Sequence, residues 1–178
     1  KWNFYTKIDR GDLMKIADEI TQNKNKLSIK TMYFNRFLLI RYATAAFFFV
    51  NINWFVFLMY NKSYLSIVPL ALSLLILLPV AEQVKLYQAH KNELPLTKFY
   101  YQIQLGINLL LIPLTLTPIF NELFYFMNGN IQGKTLVISV LLLGAGLSVI
   151  IQRKLFKINH NQDKQYDRIK KYEKILGV

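Results

Sequence analysis

At 178 residues the chain is within the size of one domain, and its 53% apolar content suits a soluble core as well as a bilayer. The absence of cysteine excludes disulfides, thiol catalysis, iron–sulfur clusters and thiolate zinc sites. With only His90 and His160, both in hydrophilic stretches, a metal site would have to rest on scattered carboxylates. The net charge of +12 does not point to nucleic acid, because most aromatic residues lie inside apolar runs, and basic flanks facing anionic lipid headgroups account for the charge.

The class is decided by how charge is distributed. Charged residues almost vanish between Phe37 and Lys154 and crowd both ends, a segregation that a soluble core does not require. Residues 1–36 are polar. Asp9 or Asp12 can cap a short helix in which Leu13, Ile16, Ala17 and Ile20 form one apolar face, and the run Thr21-Gln-Asn-Lys-Asn-Lys26 is expected to end it. Such a helix can pack on the bundle, lie on the headgroups or dock a partner protein. It is no signal peptide, since a long mixed polar segment precedes the first apolar run and no small-residue cleavage site follows that run.

Four apolar runs follow. The first, residues 37–60, is long enough to cross a bilayer, with Arg41 about one turn inside, where it can snorkel, and with Asn51 and Asn53 near the middle. The second, about residues 64–84, follows a connection of a few residues, Asn61-Lys-Ser63, which makes the two helices antiparallel neighbours. Pro69 and Pro79 predict a kink in it. A polar loop, residues 82–98, leads to the third run, about residues 99–126, the most polar and most broken, with Gln102, Gln104, Asn108, Pro113 and Pro118. Asn128-Gly-Asn130 and Gly133 signal a reversal, with both glycines suited to a tight turn. The fourth run, about residues 135–152, is rich in Leu, Val and Ile. The basic tail, residues 153–178, reads as a helix continuing from it, because neither glycine nor proline intervenes between Gly146 and Gly177.

The expected fold is therefore an all-α integral membrane protein with four transmembrane helices, a short cytoplasmic N-terminal helix and a basic helical C-terminal tail. Twenty of the twenty-two Lys and Arg residues lie in the N-terminal region, the middle loop and the tail. Only Lys62 and Lys134 fall in the two connections on the other face. Under the positive-inside rule both termini are cytoplasmic, with the plasma membrane the expected location.

Polar groups within hydrocarbon are where function is sought first. Asn51, Asn53, Gln104 and Asn108 can hydrogen-bond across helices or line a polar groove. Asn51 and Asn53 point to different faces, whereas Gln104 and Asn108, four apart, share one. Glu122, toward the outer end of the third run, is an interfacial carboxylate or a cation acceptor. Gly144 and Ser148 form a small-xxx-small pair for close helix packing, within the chain or between chains. In the tail, Tyr166, Ile169 and Tyr172 keep one helical stripe beside Lys170 and Lys171, a surface for lipid or a partner. Tyr100 and Tyr101 suit the inner interface.

No phosphate-cradling loop, nucleophilic serine motif, metal-binding histidine spacing or paired acid and base is present, and no apolar run contains His or Cys, so no catalysis and no cofactor are expected. The composition fits best a small non-enzymatic accessory or regulatory subunit, bound to another membrane protein or to its own copies. A small oligomeric transporter or channel using Gln104, Asn108 and Glu122 is the second reading, and a membrane-resident immunity protein a third.

Overall fold

The computed structural model describes residues 10–86 and 93–176, and among these every regular element is helical. Eight α-helices follow in order: α1 Arg10–Arg36, α2 Leu38–Tyr60, α3 Ile67–Leu75, α4 Leu77–Leu86, α5 Pro95–Leu114, α6 Phe120–Leu123, α7 Ile131–Asn159 and α8 Lys164–Leu176. A single 3-10 turn, Tyr64–Ser66, precedes α3. Three stretches are long and apolar enough to cross a membrane: Leu38–Tyr60, Tyr64–Lys85 and the run that begins at Ile131. The chain divides into two compact units, one made of α2 to α7 (Phe37–Asp163) and one in which α1 packs on α8.

The second apolar run is segmented where its prolines act. Pro79 has no N–H and cannot accommodate a regular turn before it, and the helix breaks at the fully buried Ile76 before resuming as α4. The Ser73 hydroxyl donates to the Pro69 carbonyl at 2.8 Å, an internal satisfaction of backbone polarity suited to hydrocarbon. Between α2 and the 3-10 turn, Lys62 takes φ 53°, the left-handed residue that closes the short connection.

The third apolar run differs from its expected span. The helix begins four residues earlier, at Pro95, and stops at Leu114, one residue after Pro113; residues 115–119 are turns, and α6 is a four-residue helix. Thr115 and Thr117 donate their hydroxyls to Ile112 O at 2.6 Å and Leu114 O at 2.7 Å, covering carbonyls that the broken helix leaves over. Gly133 also differs from its expected part in the reversal. It lies in the first turn of α7, where the Asn130 side chain caps its N–H at 2.8 Å, and any Cβ there would collide with the Asn128 carbonyl.

Both terminal helices depart from expectation. The expected break at Thr21–Lys26 is absent, and α1 runs on through it for 27 residues. Asn and Thr weaken a helix by only tenths of a kcal/mol each, about 0.7 at most, so without Gly or Pro the run slows a helix but does not end one. The tail is not continuous with the fourth apolar run. α7 ends at Asn159, and Asn161 adopts φ 52° before α8 starts at Lys164. Asparagine is among the few residues that accept this left-handed conformation at low cost, so it ends the helix as glycine would.

In the α1–α8 unit the tail stripe is consumed internally. Ile169 is 1% exposed, the Arg36 guanidinium stands 4.9 Å over the Tyr166 ring, and the Tyr33 hydroxyl donates to Glu173 Oε1 at 3.1 Å. Tyr172 is half-buried. Lys170 is exposed and paired with Glu173 at 2.9 Å, while Lys171 is exposed. Partial burial, and then the Glu173 hydrogen bond, raises the Tyr33 phenol above its ordinary value of 10.0. A raised value means that its contribution to docking is full below pH 10 and is lost as pH rises through the raised value.

Candidate intramembrane site

The interior of the α2–α7 unit is built on amides and phenols. On α2, Thr44 and Asn51 lie seven apart, two turns along one buried face; on α5, Tyr100, Tyr101, Gln104 and Asn108 fill the facing side. Two networks result. Toward the amino-terminal end of α2, Gln83 Nε2 donates to Thr44 Oγ1 at 3.2 Å, Thr44 Oγ1 lies 3.1 Å from the Tyr101 hydroxyl, and Gln152 Nε2 reaches the Tyr101 carbonyl at 3.2 Å. Deeper, Gln104 Oε1 accepts from Tyr100 at 3.0 Å and from Asn51 Nδ2 at 3.3 Å, and Gln104 Nε2 donates to Asn108 Oδ1 at 3.1 Å. Every one of these side chains except Gln152 is buried.

Asn53 is exposed and donates only to its own helix, to the Phe49 carbonyl at 2.7 Å, so it stands outside this network. Glu122 is exposed on α6 and is not brought to the amides. Gly144 and Ser148 face inward. Ser148 is fully buried and donates to Gly144 O at 2.9 Å, and a side chain on Gly144 would place its Cβ 2.7 Å from Asn108 Nδ2 and 3.5 Å from the Phe47 ring. This small-residue pair therefore packs α7 against α5 and α2 of the same chain.

Tyr100 and Tyr101 are buried to 1% and 0% exposure, a correction to their expected interfacial place. Their hydroxyls are taken by Gln104 and Thr44, which lets a phenol sit inside the bundle without an orphaned donor. Sequence reading also missed Thr44, Gln83 and Glu82. Glu82, from α4, accepts from Thr97 N and Thr97 Oγ1, both at 2.7 Å, and from Leu96 N at 3.1 Å. It supplies the N-terminal cap that Leu94, with no capping side chain, cannot supply to α5. The mid-run place of Asn51 and the spacing of Gln104 and Asn108 signalled this region; the cap and the Thr44 and Gln83 contacts join residues distant in sequence.

Beside the deeper network a cavity of about 510 Å³ opens between α2 and α7. Asn51, Gln104 and Asn108 contribute to its floor, and Asn53, Phe47, Val50, Trp54, Leu141 and Leu147 also line it. Trp54 donates to Leu123 O at 2.8 Å and stacks on Phe124 with ring centroids 5.6 Å apart. No charged residue among those described lines the cavity. Comparison of the chain with protein families, curated proteins and solved structures returns no match.

Replacing Gln104 with leucine removes the acceptor shared by Tyr100 and Asn51 and the donor to Asn108. The Asn51 bond crosses helices, where such bonds average about 0.6 kcal/mol in membranes, and loss of the two bonds within α5 leaves the Tyr100 hydroxyl and Asn108 Oδ1 without their partner, so the change is expected to lower stability by about 1–2 kcal/mol. Thermal unfolding in mild detergent checks this, with Gln102→Leu, at an exposed position of the same helix, expected to be near neutral.

Proposed function

We propose that the chain is a non-enzymatic four-span subunit of a larger plasma-membrane assembly, with both termini cytoplasmic, and that it joins its partner through the amino-terminal half of α1. The fourth crossing is α5. Its 20 residues extend about 30 Å, the thickness of the hydrocarbon. Its polarity is turned inward on Tyr100, Tyr101, Gln104 and Asn108, while Phe99, Leu109 and Leu110 are exposed, with Lys98 in the first turn and Gln102 the polar exceptions. The bias of twenty basic residues to two supports the orientation.

The exposure of α1 carries the docking role. Residues 11–24 are exposed on every side, including Leu13, Ile16 and Ile20 of the apolar stripe, while Tyr33 and Arg36 at the other end engage α8. A free stretch of about 14 residues is marginal as an isolated helix and gains stability by covering its apolar face. Residues 11–24 contain Asp12, Asp18 and Glu19 against Lys15 and Lys24, three negative charges against two positive, net −1. Helices that lie on anionic lipid carry a basic polar face, so this one favours a protein surface.

The test is the apparent mass of the assembly extracted from its own membrane in mild detergent and resolved on a native gel. Ile16→Asp and Ile16→Arg are both expected to reduce the chain to its own mass. Migration of the unaltered chain as a lone monomer, or persistence of the assembly in both variants, would overturn the reading. If only Ile16→Asp released the chain, attachment would be to lipid.

A further inference from the structure

We propose that the cavity between α2 and α7 binds an uncharged long-chain alcohol, an acyl- or isoprenyl-type chain whose hydroxyl meets the amide floor. The inference is independent of the docking role of α1 and uses only the α2–α7 unit.

The floor carries polar capacity that the protein leaves unused. Asn108 is 5% exposed and Asn51 2% exposed. Asn108 accepts through Oδ1 from Gln104, yet its Nδ2 has no acceptor among the described residues; Asn51 donates through Nδ2, yet its Oδ1 has no donor among them. Both residues line the cavity. In an aqueous cleft water would complete these amides, but α2 and α7 both belong to stretches apolar and long enough to span a membrane. The exposed Val50, Val140 and Leu143 at the cavity's edge turn its mouth toward hydrocarbon. An unmet amide in that setting costs several kcal/mol per group, so the occupant that suits the floor brings a donor and an acceptor.

Volume and charge narrow the class. A transmembrane helix about 10 Å across fills about 420 Å³ per turn, so about 510 Å³ holds little more than one turn of a partner helix, whereas small-molecule pockets run from about 300 to 1,000 Å³. No lysine, arginine or carboxylate among the described residues lines the cavity, which disfavours a phosphate or an ionised carboxylate as the group that is read. A neutral hydroxyl donates and accepts at once, matching Asn51 Oδ1 and Asn108 Nδ2. Gly144 belongs to the same design, because the Cβ of any other residue would come within 2.7 Å of that amide nitrogen and obstruct its approach.

Trp54 makes the proposal measurable, since it lines the cavity and Trp2 is the chain's only other tryptophan. The full chain carrying Trp2→Phe is reconstituted in phosphatidylcholine vesicles and titrated with 9,10-dibromooctadecanol or with 9,10-dibromooctadecane, whose bromines quench indole fluorescence. The alcohol is expected to quench Trp54 saturably, with a half-saturation at least tenfold below that of the alkane. Asn108→Leu should raise the alcohol's half-saturation about tenfold and leave the alkane's unchanged. Gly144→Val should weaken both probes. Unchanged alkane quenching and unchanged helical circular dichroism in Asn108→Leu show that the variant is folded. Equal half-saturation for alcohol and alkane would overturn the ligand class, and quenching that rises without saturation for both would overturn the cavity as a binding site.

Discussion

Replacing Ile169 with aspartate is expected to release α8 from α1 and to lower the stability of that two-helix unit by about 3 kcal/mol. Ile169 is 1% exposed, and burial of an isoleucine side chain is worth about 1.5–3 kcal/mol, while a carboxylate cannot remain in its place without a partner. Once undocked, the 13 residues of α8 fall at the length where isolated helices are marginal in water, so the segment should fray rather than persist. Hydrogen exchange over residues 164–176 is expected to approach the unprotected rate, and the distance between spin labels at the exposed Asn35 and Lys171 to broaden. Ile169→Ser should show an intermediate loss of about 2 kcal/mol from the apolar burial alone. Full protection in both variants would mean that Ile169 does not hold the unit together.

Glu82→Ala is the second large effect, expected to destabilise α5 by about 2–3 kcal/mol. The carboxylate accepts two backbone N–H groups and one hydroxyl at the start of α5, where the helix dipole favours negative charge and where Pro95 and Leu94 offer no cap of their own. Thr97 is fully buried, so removing Glu82 leaves donors without water to replace it. Glu82 itself is only half-buried, which keeps the figure below the sum of three charged hydrogen bonds. The amide protons of Leu96 and Thr97 should exchange about a hundredfold faster in the alanine variant, by the factor of ten per 1.36 kcal/mol. Glu82→Gln, which keeps one acceptor oxygen, should lie between. An unchanged exchange rate at Thr97 would remove Glu82 as the cap.

The coarse architecture was legible because its cause is local. A run of some 20 apolar residues is helical in a bilayer regardless of what surrounds it, since the backbone has no other partner for its hydrogen bonds. Residues 38–60 and the run from Ile131 could therefore be read directly, and Pro79 announced the break at Ile76. Gln104 and Asn108 announced a shared face by their spacing of four. The C-terminal stripe of Tyr166, Ile169 and Tyr172 was legible as a contact surface and expected to meet lipid or a partner, but the spacing of a helix does not say what covers it; that cover is α1, more than a hundred residues earlier in the chain.

Composition, the segregation of charge and the helical periods of its apolar runs by themselves determined that this chain is helical, that it carries membrane-length apolar stretches and that Gln104 and Asn108 share one helical face. Those properties depend on side chains within a few turns of one another. Only the tertiary structure decided which polar groups are joined and which are left over: that Glu82 caps a helix it does not belong to, that Tyr100 and Tyr101 lie inside the bundle, and that Asn51 and Asn108 meet through Gln104 beside a cavity, which Asn53 also lines without joining the network, while Glu122 stands apart. The physical reason is the same in each case: a hydrogen bond is made at about 3 Å, and residues far apart in sequence come within that distance only after the helices have packed.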